Sequence, residues 1–234
     1  MPNSLPRPAA PAQDETRSVL AIPGFRKLWN SMVFSSLGDW LGLLATTALA
    51  QQLSGGSYTT ANFAIAGVFI ARLLPAVFLG PIAGVIADRF DRRKLMVVAD
   101  IIRAALYISI PIVQTYFWLY TAMILVECVT LFWSPAKEAS VPNLVGKEKL
   151  ESANQVSLLA AYGTAPIAAI LFSLLTLFAT AIESLFPFSI GNSVEIALYV
   201  NALSFLFAAV TIWGLKEIPT GAAANKTKDE NIMK

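Results

Sequence analysis

Histidine is absent from the chain and cysteine occurs once, as Cys128. The first absence removes His-based acid–base and nucleophilic catalysis and most zinc sites. The second rules out an internal disulfide and leaves the redox compartment unread. Charge is also scarce: only 14% of the 234 residues are Asp, Glu, Lys or Arg, where a water-soluble domain carries about a quarter. Hydrophobic residues supply 56% of the chain and the mean hydropathy is +0.63. Its apolar runs are too many and too long for one soluble core, so most of this surface is expected to face lipid.

Six segments reach the roughly 20 mostly apolar helical residues needed to cross a bilayer core. They are Leu28–Gln51, Ala61–Ala87, Leu95–Thr115, Phe117–Pro135, Val156–Ile182 and Val194–Leu215, within a bundle expected over residues 21–218. Met1–Ser18 is rich in Pro and Ala and lacks the charged start, apolar stretch and cleavage site of a signal peptide. Residues 1–20 are therefore expected to be a disordered cytoplasmic tail. Residues 219–234 read as a second tail or the start of a longer central loop.

The basic residues are not spread evenly. Arg7, Arg17, Arg26 and Lys27 precede the first span, and Arg89, Arg92, Arg93 and Lys94 lie between the second and third. Lys137, Lys147 and Lys149 lie between the fourth and fifth, and Lys216, Lys226, Lys228 and Lys234 follow the sixth. The alternate connections Gln52–Thr60, Gln114–Trp118 and Glu183–Ser193 carry no Lys or Arg; the remaining two, Arg72 and Arg103, fall inside spans. Such asymmetry predicts an even number of spans, with both termini on the cytoplasmic side of the cytoplasmic (inner) membrane. A soluble helical protein has no reason to sort its cations this way.

Two connections carry recognisable wording. Gly84-Val-Ile-Ala-Asp-Arg-Phe-Asp-Arg-Arg-Lys94 resembles the loop between helices 2 and 3 of the major facilitator superfamily, Gly-x-x-x-Asp-Arg-x-Gly-Arg-Lys. The segment Ser134-Pro-Ala-Lys-Glu-Ala-Ser-Val-Pro-Asn-Leu-Val145, followed by Leu150 and Ala153-Asn154, resembles the connection between helices 4 and 5. Its wording is that of the branch holding the enterobactin exporter and macrolide-efflux-like proteins, and Leu37-Gly-Asp-Trp40 has the same character. The resemblance covers nearly the whole chain. It implies an all-α membrane protein of six transmembrane helices, the N-terminal half of a major facilitator fold, built from two inverted three-helix repeats.

There are departures. Asp91 stands where the signature has its second Gly; Asp tolerates left-handed geometry at modest cost, so the turn is expected to survive. In the fifth span, Tyr162-Gly-Thr-Ala-Pro-Ile-Ala-Ala169 has alanines in most places where drug/proton antiporters carry paired glycines, which weakens the antiport reading. Helices 7–12 are missing. The chain is then expected to be a fragment, a truncated product, or a half that assembles with a second copy as a homodimer.

Four ionisable residues inside spans are the transport and proton-coupling candidates, because such residues are expensive in lipid. Asp39 and Glu127 lie near mid-depth of the first and fourth spans, which the resemblance makes equivalent members of the two repeats, facing a central cavity. A carboxylate there is suited to taking up and releasing a proton. Arg72, in the second span, would bind an anionic substrate group or neutralise Asp39 or Glu127. Arg103 would snorkel toward the nearer face, with Asp100 one turn away. In the loop, Gly84, Asp88, Arg89, Arg92, Arg93 and the later Glu138 are candidates for a conformational latch. The resemblance implies that Asp88 meets a helix N-terminus of the opposite half while Arg92 pairs with Glu138; holding the loop inside is the plainer alternative. Gly80-Pro81 with Gly84 reads as a small-residue face for helix packing, and Trp118 and Trp133 as interface anchors.

The resemblance implies a secondary transporter, with proton-coupled efflux of small amphipathic molecules as the leading expectation and a lipid or lysophospholipid carrier as the alternative. Its partners would be the bilayer, a small-molecule substrate, and a C-terminal half or second copy. No cofactor, metal or nucleic acid is expected. An intramembrane enzyme is disfavoured: a Ser–His protease lacks its histidine, and Leu37-Gly-Asp-Trp40 is not the Gly-x-Gly-Asp setting of an aspartyl protease. A membrane fragment that only associates with partners remains the rival class.

Overall fold

The computed structural model of the chain describes residues 19–87, 89–185 and 192–215. Among these, all regular structure is helical: α1 (Pro23–Leu53), α2 (Tyr58–Ala87), α3 (Arg92–Val113), α4 (Tyr116–Val145), α5 (Leu150–Leu185) and α6 (Ser193–Trp213). A 3-10 turn at Lys147–Lys149 precedes α5. Each of the six helices contains a stretch long and apolar enough to cross a membrane.

α1, α2, α4 and α5 outrun their apolar spans, whereas α3 and α6 stop two residues short of theirs. The fourth span was expected to end at Pro135, but α4 continues through Pro135 and Pro142 to Val145. A length criterion marks where lipid-compatible sequence stops, not where backbone hydrogen bonding stops. The chain breaks at Gly146, whose φ of 76° suits a residue without a Cβ. The turn before α3 also differs from expectation. Asp91 does not go left-handed: at φ −65° it is the extended N-cap of α3, and its side chain accepts from the Lys94 N–H. A capping carboxylate thus replaces the glycine turn, satisfying one of the open amides at the helix start. Among the described non-glycine residues the left-handed one is Gln114, at the far end of α3. Thr115 and Asn192 cap α4 and α6 in the same way as Asp91.

α1 packs on α5 and α6, α3 on α4 and α6, and α2 on α4 and α1. Exchanging the first three helices with the last three maps these neighbours onto themselves, save that α1–α2 becomes the slighter α4–α5 contact: α1–α6 becomes α4–α3, and α2–α4 becomes α5–α1. That self-mapping is what two related three-helix repeats produce. The centre of the bundle is α1, α3 and α6, drawn close by Gly38 and Gly42. A Cβ on Gly42 would lie 2.5 Å from Asn201 Nδ2 and 2.7 Å from the Tyr107 hydroxyl, and one on Gly38 would lie 2.6 Å from Asn201 Oδ1.

α2 and α5 instead present apolar faces outward, including Val77, Phe78, Leu174 and Leu177. Here one expectation is narrowed and another corrected. A Cβ on Gly80 or Gly84 would meet no described atom within 4 Å, so that small-residue face is not used for packing inside this bundle. Trp133 is not an interface anchor, since it is buried in the core between α4 and its neighbours. Trp118 donates its indole N–H to Ser109 Oγ at 2.9 Å, tying α4 back to α3.

Candidate functional site

Burial of charge decides where a site can be, because an ion removed from water must find a counter-charge or hydrogen-bond partners. The four ionisable residues singled out within spans come together at the middle of the bundle, one from each of α1 to α4. Asp39 comes from α1, Arg72 from α2, Arg103 from α3 and Glu127 from α4, and Asp100 joins them from one turn earlier on α3.

They form two unlike halves. Arg103 is fully buried, at 0% exposure, and so is Asp100. Its Nη2 contacts Asp100 Oδ1 and donates to Ser35 Oγ at 3.1 Å, while Nη1 lies 3.7 Å from Asp39 Oδ1. Its guanidinium stacks over the Phe205 ring at 4.3 Å and lies 5.1 Å from the centroid of Trp133. The snorkelling expected of Arg103 is therefore corrected: it points into the bundle, where an acid, a hydroxyl and two aromatic faces offset its desolvation.

Arg72 is held more loosely. Its Nε is 3.9 Å from Glu127 Oε2, and its Nη1 donates to the backbone carbonyl of Asp39 at 3.3 Å. The side chains of Arg72 and Glu127 are 25% and 18% exposed and that of Asp39 is 26% exposed, so this half of the cluster opens to the space beside the bundle axis. Of the roles considered for Arg72, the geometry carries the neutralising one, toward Glu127.

Sequence reasoning missed the polar wall behind the cluster. Tyr107 and Asn201 are both fully buried, and the Tyr107 hydroxyl and both amide atoms of Asn201 have no hydrogen-bond partner among the described residues. Tyr107 lies within electrostatic reach of Asp39, Arg72, Arg103 and Glu127. Asn201 could have been noticed as an amide inside an apolar span; an aromatic residue in a membrane helix carries no comparable signal.

The loop candidates lie apart, at the basic end. Asp88 falls outside the described residues. Arg92 Nη1 donates to the carbonyl of Ala139 at 3.0 Å, one residue past Glu138, so the loop reaches the predicted turn of α4 through its backbone. Arg93 lies 5.6 Å from the centroid of the Trp213 ring, whereas Arg89 and Glu138 are exposed. Between α4 and α5, next to Glu138, is a cavity of about 670 Å³ bordered by Ser134, Lys137, Asn154, Ser157 and Tyr162.

Residues 15–234 match the major facilitator family described as transmembrane secretion effector. The chain is 30% identical over 192 residues to the uncharacterized MFS-type transporter YfiS of Bacillus subtilis, covering 82% of this chain and 42% of that protein. It is 26% identical over 197 residues to the putative bacilysin exporter BacE of the same organism, covering 83% and 44%. It is 28% identical over 131 residues to macrolide efflux protein A of Streptococcus pyogenes, covering 54% and 31%. The chain spans less than half the length of each of these relatives. No solved structure matches.

Proposed function

The chain belongs to the transmembrane secretion effector family of the major facilitator superfamily, and from that premise we propose that it is the N-terminal half of a proton-coupled exporter of small amphipathic molecules. It is a transporter component, not an enzyme. The carrying observation is the cluster of Asp39, Arg72, Arg103 and Glu127 at mid-bundle, whose outer members stay partly open. Ionisable groups are retained at that depth only where they serve a pathway or balance one another. Here Asp100 and Arg103 do the balancing, while Asp39 and Glu127 lie where a proton and a substrate can reach them.

Export rather than uptake is supported by relatives named for macrolide efflux and bacilysin export. A second half, either a continuation of the polypeptide or a second copy, is supported by the apolar outer faces of α2 and α5 and by the open small-residue face at Gly80 and Gly84. In this reading the basic end, with Arg89, Arg92 and Arg93, faces the cytoplasm, and the Asp88–Arg92 turn and Glu138 work as the latch between halves.

The test is efflux of an amphipathic dye from energised cells carrying an assembly-competent form. Asp39→Asn and Glu127→Gln should each lower proton-driven efflux at least tenfold at wild-type membrane abundance. Full efflux in both variants would remove the coupling role.

A further inference from the structure

The mid-bundle cluster does not balance. It brings three carboxylates, Asp39, Asp100 and Glu127, against two guanidiniums, Arg72 and Arg103. Among the described residues, α5 and α6 supply no further charge at this level: Glu151 and Glu195 belong to their first turns, and their tyrosines, Tyr162 and Tyr199, are exposed. Lys137 and Glu138 belong to the α4–α5 cavity farther along the bundle. A net charge of one sign inside a low-dielectric bundle is costly, and a carboxylate can relieve it by holding a proton.

Geometry says which carboxylates are available. Asp100 is fully buried and in direct contact with Arg103, so its charge is matched within one turn of α3. Asp39 stands at 3.7 Å from the same Arg103, a cation already paired. Glu127 stands at 3.9 Å from Arg72, whose remaining hydrogen bond runs to the Asp39 backbone. One cation, Arg72, is therefore left for two partly open carboxylates. The Tyr107 hydroxyl, buried and without a hydrogen-bond partner among the described residues, lies within electrostatic reach of both.

We propose that Asp39 and Glu127 share a single proton across Arg72, titrating as one coupled pair while Asp100–Arg103 stays a permanently closed ion pair. The pair has two states of the same charge, with the proton on Asp39 and Arg72 serving Glu127, or the reverse. Its apparent titration belongs to the pair and not to either residue. Arg72, with hydrogen-bond reach to α1 and charge reach to α4, is the side chain that moves between them, and Arg103 positions Asp39 without taking part. This deepens the proposed coupling role: the proton exchanged per cycle would be one, from one shared site.

Infrared difference spectroscopy of the purified chain in detergent micelles, titrated from neutral to alkaline pH, reads the protonated carboxyl band directly. Expected is loss of one carboxylic acid band, part of which shifts when aspartate is ¹³C-labelled and the rest when glutamate is labelled. Asp39→Asn and Glu127→Gln should each abolish that band, whereas Ser35→Ala should leave it. The wild-type isotope pair decides the question even if a variant misfolds. Absence of the band, or a shift confined to one label, overturns the sharing. No transport is needed for this measurement, so a shared proton in a chain whose assembled form exports nothing would sink the function proposed above and leave the pair standing.

Discussion

Arg103 has no path to water, so everything that balances its charge must be protein: the Asp100 carboxylate, the Ser35 hydroxyl, Asp39 at longer range, and the faces of Phe205 and Trp133. Such a residue contributes little net stability while paired but is costly to remove, because its partner is left as an isolated buried charge. Arg103→Met should therefore destabilise the bundle by about 3–5 kcal/mol, read from unfolding in detergent micelles. Arg72→Met, at a partly open site whose acid can protonate or hydrate, should cost clearly less. Equal losses for the two would mean that the closed and open halves of the cluster are not distinct.

At the scale of elements, small residues do opposite things on two helices. On α1, Gly42 lets the Asn201 amide and the Tyr107 ring come against the backbone, both as fully buried side chains with little room to withdraw. On α2, Gly80 and Gly84 face no described atom within 4 Å. Gly42→Val should cost about 1–3 kcal/mol through overpacking, whereas Gly84→Ala should leave unfolding of the same chain unchanged; calorimetry of the two side by side checks the contrast. Nothing in the residue type separates these glycines, and the sequence does not say which small-residue face packs inside the bundle and which is left open. What was legible were features the bilayer dictates directly: six apolar lengths, and the high cost that marks Asp39, Arg72 and Glu127 as ionisable residues inside them. What was not legible depends on rotation about each helix axis. Whether Trp133 anchors or packs is set by which neighbour α4 meets, and periodicity in a helix that is apolar all round does not encode that. On α3, Asp100, Arg103 and Tyr107 share one face at helical spacing, and what the sequence leaves open is which neighbour that face meets. The Asp91 cap belongs to the same class, because Asp serves either a left-handed turn or an N-cap and only the start of α3 chooses between them.

For the molecule as a whole, two inverted repeats leave α2 and α5 as the elements with least support from their own bundle, and their outward apolar faces are continuous with lipid-compatible surface. A half of this kind can sit stably in a bilayer, since lipid covers what a partner would cover, but it offers its charged cluster a wall on one side only. Transport therefore depends on which end of the bundle faces which compartment, because a proton pathway has direction. The described residues place Arg89, Arg92, Arg93 and Lys94 at one end of α2 and α3, while the turn at Ser54–Ser57 and the Gln52–Asn192 hydrogen bonds close the opposite end without a Lys or Arg. Arg and Lys near span ends resist translocation and set orientation. A reporter active only outside the cytoplasm, inserted after Ser57, should be active, and one inserted after Gly146 should be silent. Neutralising Arg89, Arg92, Arg93 and Lys94 together should reduce the first signal and raise the second, since these four form the densest cationic turn. If the Ser57 insertion reported from the cytoplasm in the unaltered chain, the basic end would lie outside, and the orientation proposed for export would fail with it.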